Sequence, residues 1–161
     1  MVTYEDHFWV MANSGVRVGE SDSRAFTYKH DEQAVWLGEG VYSIMDTSAQ
    51  DIMISTIWYE TLMDEIFKGI LDSYFLINGK PYTNCGNDLP NLYFDFDGKT
   101  LQVRAEDYVE PDWNGGTFGV LCRLRISPLD APFNIFGVPL YLGYYVTHNY
   151  SESNQESGLT F

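Results

Sequence analysis

Short runs in which apolar and polar residues alternate recur along this chain. In the two clearest runs, residues 92–97 and 118–126, every second residue is apolar. A period of two places one side of an extended strand in a core and the other towards solvent. Asp97-Gly98 follows the first run as a hairpin signal. The chain also has 12 tyrosines and 10 phenylalanines, which favour strands. These features predict a mostly-β fold.

One segment departs from this pattern and has helical periodicity. It predicts an amphipathic outer helix over 57–69, with Ser55 or Thr56 capping its start and Gly69 its end. Pro139 and Gly143 bound a second helix of a single turn. The apolar face of the longer helix consists of Tyr59, Leu62, Met63, Ile66 and Phe67.

The length of 161 residues suits one domain and is short for two ordinary ones. No internal repeat or composition shift marks a boundary, so a single domain over residues 1–161 is predicted. The polar stretch 151–158 is interpreted as a turn between two strands. No secretory leader is expected ahead of the first strand-like stretch, residues 8–18.

The net charge of −14 argues against nucleic acid and membrane surfaces as partners, since both are anionic. No apolar run approaches the roughly 20 residues that a membrane-spanning helix needs. The acidic composition suits a soluble protein, and it equally suits a protein that works at acid pH. Charge alone does not choose between these interpretations.

The two cysteines, Cys85 and Cys122, lack the paired spacing of a zinc site. They fit either a disulfide or two buried thiols. Asn149 begins an Asn-Tyr-Ser tripeptide, an N-glycosylation acceptor that agrees with a secretory route but also arises by chance. Residues 95–98 lack the remaining ligands of a calcium loop. No metal and no cofactor are predicted.

The segment that could carry catalytic chemistry is a mostly apolar run, Val41–Met45, followed directly by Asp46-Thr47-Ser48-Ala49. Small polar residues after a strand are ordinary turn chemistry. Taken alone, Asp46 is therefore weak evidence for a catalytic site, and the order of the other elements has to decide.

In that order the chain resembles the C-terminal lobe of the pepsin-like (A1 family) aspartic proteases. Residues 43–54 resemble the family's active-site signature, and the predicted helix lies where the family has one. The resemblance covers nearly the whole chain. The other matching segments are the opening strands 8–10 and 16–18, Cys85 with the strand and hairpin 89–98, the stretch 102–109, Cys122, the hydrophobic-hydrophobic-Gly at 135–137, and the closing strands 142–146 and 158–159.

The resemblance implies one lobe of the pepsin-like acid protease fold, with Asp46 as one of two catalytic aspartates. It implies that Thr47 braces two active-site turns across the lobe interface and that Cys85 and Cys122 are disulfide-bonded. It also implies that the loop Ile135-Phe136-Gly137 packs against the turn. Two neighbouring carboxylates share one proton, and such a pair titrates as a unit.

The active-site turn departs from the family at three positions. Ser48 stands where the family has Gly, which allows close approach of the two turns. Ala49 and Gln50 replace residues that commonly carry hydroxyl groups. Outside the turn, Val138 replaces an Asp that often follows the hydrophobic-hydrophobic-Gly. Ser48 leaves open whether the site is active.

The chain holds only one such turn, so one aspartate of the pair is missing. The expected function is half of an aspartic endopeptidase acting on peptides or proteins and inactive as an isolated lobe. Its partner is an N-terminal lobe of the same protease or a second copy, as in retroviral-type homodimers. The alternative is a catalytically dead lobe that binds peptides or proteins. The expected location is the secretory pathway, outside the cell or in an acidic vacuole or lysosome.

Overall fold

The computed structural model describes residues 9–30, 32–38, 40–70, 74–112, 121–149 and 158–161. These residues form a β-rich fold with three α-helices: α1 (Thr56–Ile66), α2 (Ala105–Tyr108) and α3 (Val138–Tyr141). A short 3₁₀ turn covers Asp22–Arg24. The strands are β1 (Trp9–Val18), β2 (Ala25–Thr27), β3 (Trp36–Leu37), β4 (Gly40–Met45), β5 (Ile52–Ser55), β6 (Phe75–Ile77), β7 (Lys80–Asn84), β8 (Leu92–Phe96), β9 (Lys99–Val103), β10 (Val109–Asp112), β11 (Leu121–Leu124), β12 (Ile126–Leu129), β13 (Asn134–Phe136), β14 (Thr147–Asn149) and β15 (Gly158–Thr160).

The largest sheet has the order β12-β5-β13-β4-β1-β8-β9, with β2 pairing with β1 and β3 with β4. It is mixed, because β12–β5 and β13–β4 are parallel pairs among antiparallel ones. A second sheet has the order β10-β11-β7-β6, and β14 pairs with β15. The prediction of a mostly-β fold is confirmed.

Strand β4 lies inside the large sheet, between β1 and β13, and all six of its residues are buried. Val41 and Met45 face the main core, whereas Tyr42 and Ile44 face a smaller apolar cluster on the opposite side. Burial on both faces explains why the run at 41–45 is largely apolar instead of alternating. The turn that begins at Asp46 therefore starts from an immobilised strand end.

Helix α1 packs on β5 and β12 through one apolar face, as predicted. It ends at Ile66, earlier than the predicted limit, and Gly69 lies beyond it with a φ of +85°. Ser55 occupies the N-cap position, but its hydroxyl makes no capping hydrogen bond. Its backbone N–H instead donates to the side chain of Asn134 at 2.9 Å, which ties the helix start to β13.

The second sheet carries the cystine. Cys85 follows β7, Cys122 lies in the adjacent β11, and the two form a disulfide. On the chain-entropy account, closing a loop of this length stabilises the fold by about 4 kcal/mol. The predicted continuous strand over 118–126 is wrong in its described part, because the chain bends at Arg125 and β12 joins a different sheet from β11. Residues 118–120 lie outside the described part.

The strand expected from Tyr144 is also displaced. Tyr144–Val146 are not in a strand, and β14 begins at Thr147. Tyr145 is 90% exposed, so its side chain gains no burial that would favour a strand at this position. The polar stretch predicted as a turn falls mostly on residues 150–157, which lie outside the described residues.

Buried tyrosines predict a loss of stability in alkali. Burial raises the pKa of Tyr28, Tyr59 and Tyr108 above the ordinary 10.0, and that of Tyr141 to about 12. Their contribution is complete below the unfolded pKa and is lost as pH rises through the folded values. The urea midpoint should therefore fall as the pH rises from about 10 towards 12.

A matched pair of variants tests the cause. Tyr108→Phe should make the alkaline fall less steep, because a phenylalanine cannot ionise in the unfolded chain. Tyr145→Phe, at the 90% exposed position, should leave the slope unchanged. A urea midpoint that stays constant across this pH range would contradict the prediction.

Candidate active site

Asp46 begins a tight turn directly after β4. Its backbone N–H donates to the carbonyl of Phe136 at 3.0 Å, and the N–H of Ala49 donates back to the Asp46 carbonyl at 3.2 Å. Asp46 is half-buried, while Thr47 and Ser48 are exposed. The backbone of Asp46 is thus fixed on one side by β13, and its carboxylate lies at the surface of the chain.

Ser48 holds the carboxylate of Asp46 from within the turn. Its backbone N–H and its hydroxyl both donate to Oδ1, at 2.8 and 2.6 Å. Hydrogen bonds from neutral donors to a carboxylate are stronger than those between neutral groups. The Ser48 side chain, which stands where the family has Gly, therefore points towards the predicted catalytic carboxylate and not away from it.

The loop Ile135-Phe136-Gly137 lies against this turn. Ile135 and Phe136 pair in parallel with Ile44 and Met45, and the N–H of Val138 donates to the Ala49 carbonyl at 2.9 Å. Gly137 has an ordinary backbone conformation. The direction in which a side chain would leave its Cα points at the carbonyl oxygens of Ala49 and Asp51, so a methyl group there would overlap both. Gly is needed here for close approach.

A group of charges lies at the other end of the turn. Arg123 Nη2 donates to both carboxylate oxygens of Asp51 at 2.5 Å, and Arg125 donates to Gln50 at 3.3 Å. Glu110 lies 3.8 Å from both arginines. No role for Asp51, Arg123 or Arg125 follows from local sequence pattern. The contacts of Arg123 with Asp51 and of Arg125 with Gln50 join residues more than 70 positions apart.

Aromatic side chains lie beside the turn. Trp9 pairs in register with Met45, next to Asp46, and its ring contacts His148 with 5.1 Å between centroids. The ring of His148 in turn stacks on Tyr141. Burial raises the pKa of Tyr141 to about 12, and the negative charge of Asp46 adds to the effect. The aspartate is thus close enough to disfavour a second anion at the Tyr141 phenol.

Comparison of the sequence with protein families shows which family the chain belongs to. The profile of the family described as eukaryotic aspartyl protease matches residues 2–160. The chain belongs to the eukaryotic aspartyl protease family. Comparison with individual curated proteins gave no match.

Family membership gives the local features a common interpretation. The resemblance to a pepsin-like lobe is confirmed, and so is the Cys85–Cys122 disulfide that it implied. A disulfide is typical of proteins that pass through an oxidising compartment, and with the family it indicates a secreted or vacuolar route. In the described part of the chain, no helix is long and apolar enough to cross a bilayer.

The other sequence-predicted positions fall as follows. Asn149 lies at the end of β14, while Tyr150 and Ser151 of its acceptor tripeptide lie outside the described residues. The ring of His30, which no sequence motif singles out, stacks on Trp36. Among the described residues, no group of three His, Cys, Asp or Glu side chains could hold a metal ion.

Proposed function

We propose that this member of the aspartyl protease family supplies one carboxylate, Asp46, of the pair that hydrolyses peptide bonds. The supporting observation is the construction of the turn. A half-buried aspartate stands at the end of a central buried strand, fixed through its backbone by Phe136 and through its carboxylate by Ser48. Arrangements of this kind place a reacting group with the accuracy that catalysis requires.

The chemistry requires a second carboxylate about 3 Å away, because two such groups cannot both ionise and then share one proton. The ionised carboxylate would activate a water molecule as a general base. The oxygen of that water would bond to the scissile carbonyl carbon while the protonated carboxyl group donates to the carbonyl oxygen. The proton taken from the water would then pass to the leaving amine as the C–N bond breaks. Asp46 would act either as the general base or as the proton donor, and the pair titrates as a unit.

The second carboxylate has to come from another lobe. An N-terminal lobe of the same protease is the partner we favour, and a second copy of the chain is the other arrangement that would complete the pair. In either case the isolated lobe should not hydrolyse peptides. Thr47, which is exposed beside Asp46, would then contact the partner turn. The substrates would be peptides or proteins, processed outside the cell or in an acidic compartment.

A second candidate function follows from Ser48. Its hydroxyl occupies a lone pair of Asp46 Oδ1 and adds a side chain next to the space that a partner turn would enter. If that side chain keeps the two turns apart, the lobe retains its fold but serves as a peptide- or protein-binding module. The alternatives differ in what happens when the side chain is removed.

Replacing Ser48 by Gly distinguishes the two functions. For the active enzyme, Ser48→Gly should lower kcat/KM of the full-length protein by about tenfold or less, because one charge-assisted hydrogen bond is lost and the backbone donor stays. Ser48→Ala should behave similarly, since it also lacks the hydroxyl. An inactive wild-type protein that gains acid protease activity through Ser48→Gly would instead establish a blocked lobe.

A further inference from the structure

We infer that Arg123 is a positioning residue for Asp46, anchoring the active-site turn through Asp51 to the disulfide-bonded sheet. The catalytic part of this inference rests on the proposed function, whereas its structural part does not. Asp51 ends the turn that begins at Asp46, immediately before β5. The turn thus runs from Asp46, directly after β4, to Asp51, directly before β5.

The contact between Asp51 and Arg123 is close and shielded from water. Both carboxylate oxygens lie 2.5 Å from Nη2 of the arginine. The side chain of Asp51 is 9% exposed and that of Arg123 17%. Charges in such surroundings are weakly screened, so the attraction is strong and each partner depends on the other.

The position of Arg123 is determined independently of the turn. It lies in β11 directly after Cys122, and β11 is hydrogen-bonded to β10 on one side and β7 on the other. Arg125, just beyond β11, reaches Gln50 from the same side, and Glu110 of β10 lies 3.8 Å from both arginines. Side chains of β11 and of the bend that follows it therefore hold the turn at two consecutive residues, Asp51 and Gln50.

This anchor acts on the backbone that cradles Gly137. The carbonyl oxygens of Ala49 and Asp51 lie against Gly137, and the Ala49 carbonyl accepts the N–H of Val138. A displacement of Asp51 would open this contact and move Ala49, which is hydrogen-bonded to the Asp46 carbonyl. The Arg123–Asp51 pair is thus connected to Asp46 through a short series of backbone contacts.

The test compares local opening of the turn in variants of the full-length protein, measured by amide hydrogen exchange. The reporters are the N–H groups of Asp46 and Val138, which donate to Phe136 and Ala49. In Arg123→Gln we expect these amides to exchange about tenfold faster or more, with amides of β8 changing less. Arg123→Lys, which keeps a positive charge, should recover part of the protection.

Two further variants separate positioning from general stability. Arg104→Gln breaks an ion pair away from the turn, in which the side chain of Asp107 is 6% exposed and that of Arg104 48%, and should leave the turn amides unchanged relative to β8. The double variant Asp51→Leu/Arg123→Met replaces the ion pair by apolar groups and should recover global stability. Its turn amides should still exchange rapidly, because the anchor is lost.

The catalytic consequence is measured on the same proteins. Arg123→Gln should lower kcat by about 10- to 100-fold with KM changed little, because misplacement of a reacting group affects the chemical step. Uniform or absent changes in exchange would overturn the positioning role. Faster exchange with unchanged kcat would overturn its catalytic part. A wild-type protein without protease activity would refute the proposed function, while the exchange experiment would still decide the anchor.

Discussion

Replacing Asp46 by Asn should reduce peptide hydrolysis by the full-length protein by about 10²- to 10⁴-fold, the range expected for loss of a general acid–base group. The asparagine cannot share the proton of the pair. Its side-chain oxygen still accepts hydrogen bonds, so the two donors of Ser48 keep a partner and the turn should keep its conformation. The loss should therefore appear in kcat without unfolding.

The measurement compares kcat/KM in acid with the urea midpoint for each variant. Asp64→Asn serves as the control, because it makes the same chemical change at an exposed position on α1. It should leave both quantities within experimental error. An Asp46→Asn protein that folds and retains more than about a tenth of wild-type activity would exclude Asp46 from the catalytic pair.

Replacing Gly137 by Ala should damage both the fold and the site. The new methyl group would overlap the carbonyl oxygens of Ala49 and Asp51, and backbone atoms cannot rotate away as a flexible side chain can. Overpacking of this kind costs about 1–3 kcal/mol. Displacement of the turn by about 1 Å would also lower kcat by about 100-fold.

Gly143→Ala is the matched control. A methyl group at Gly143 meets its nearest neighbours at 3.9 Å, which is ordinary contact. This variant should change the unfolding free energy by about 0.5 kcal/mol or less. If Gly137→Ala were as stable and active as Gly143→Ala, the close packing of the loop on the turn would not matter to the protein.

Sequence periodicity predicts a strand or helix of this fold well where one side of the whole element is buried and the other faces solvent. Strand β8 follows the alternation at 92–97, and α1 follows its apolar face. The relation between the Asp46 turn and Gly137 came from the family resemblance. Pattern alone leaves Asp46 as an ordinary turn residue, because nothing local indicates which loop will cover it.

The failures have physical causes. The run at 118–126 keeps its alternation although the described chain bends at Arg125, because β11 and β12 bury the same residue types in different sheets. Strand β6 shows no alternation at all, since it is an edge strand with all three residues exposed. The Arg123–Asp51 pair depends on how the two sheets are placed in space, which no local pattern contains.

The most direct test of the central claim is peptide cleavage by the full-length protein between roughly pH 3 and 6, with and without a transition-state inhibitor of aspartic proteases. We expect acid cleavage that the inhibitor blocks and that Asp46→Asn abolishes. No cleavage by a folded, fully processed protein would contradict the account, and the lobe would then be a binding module.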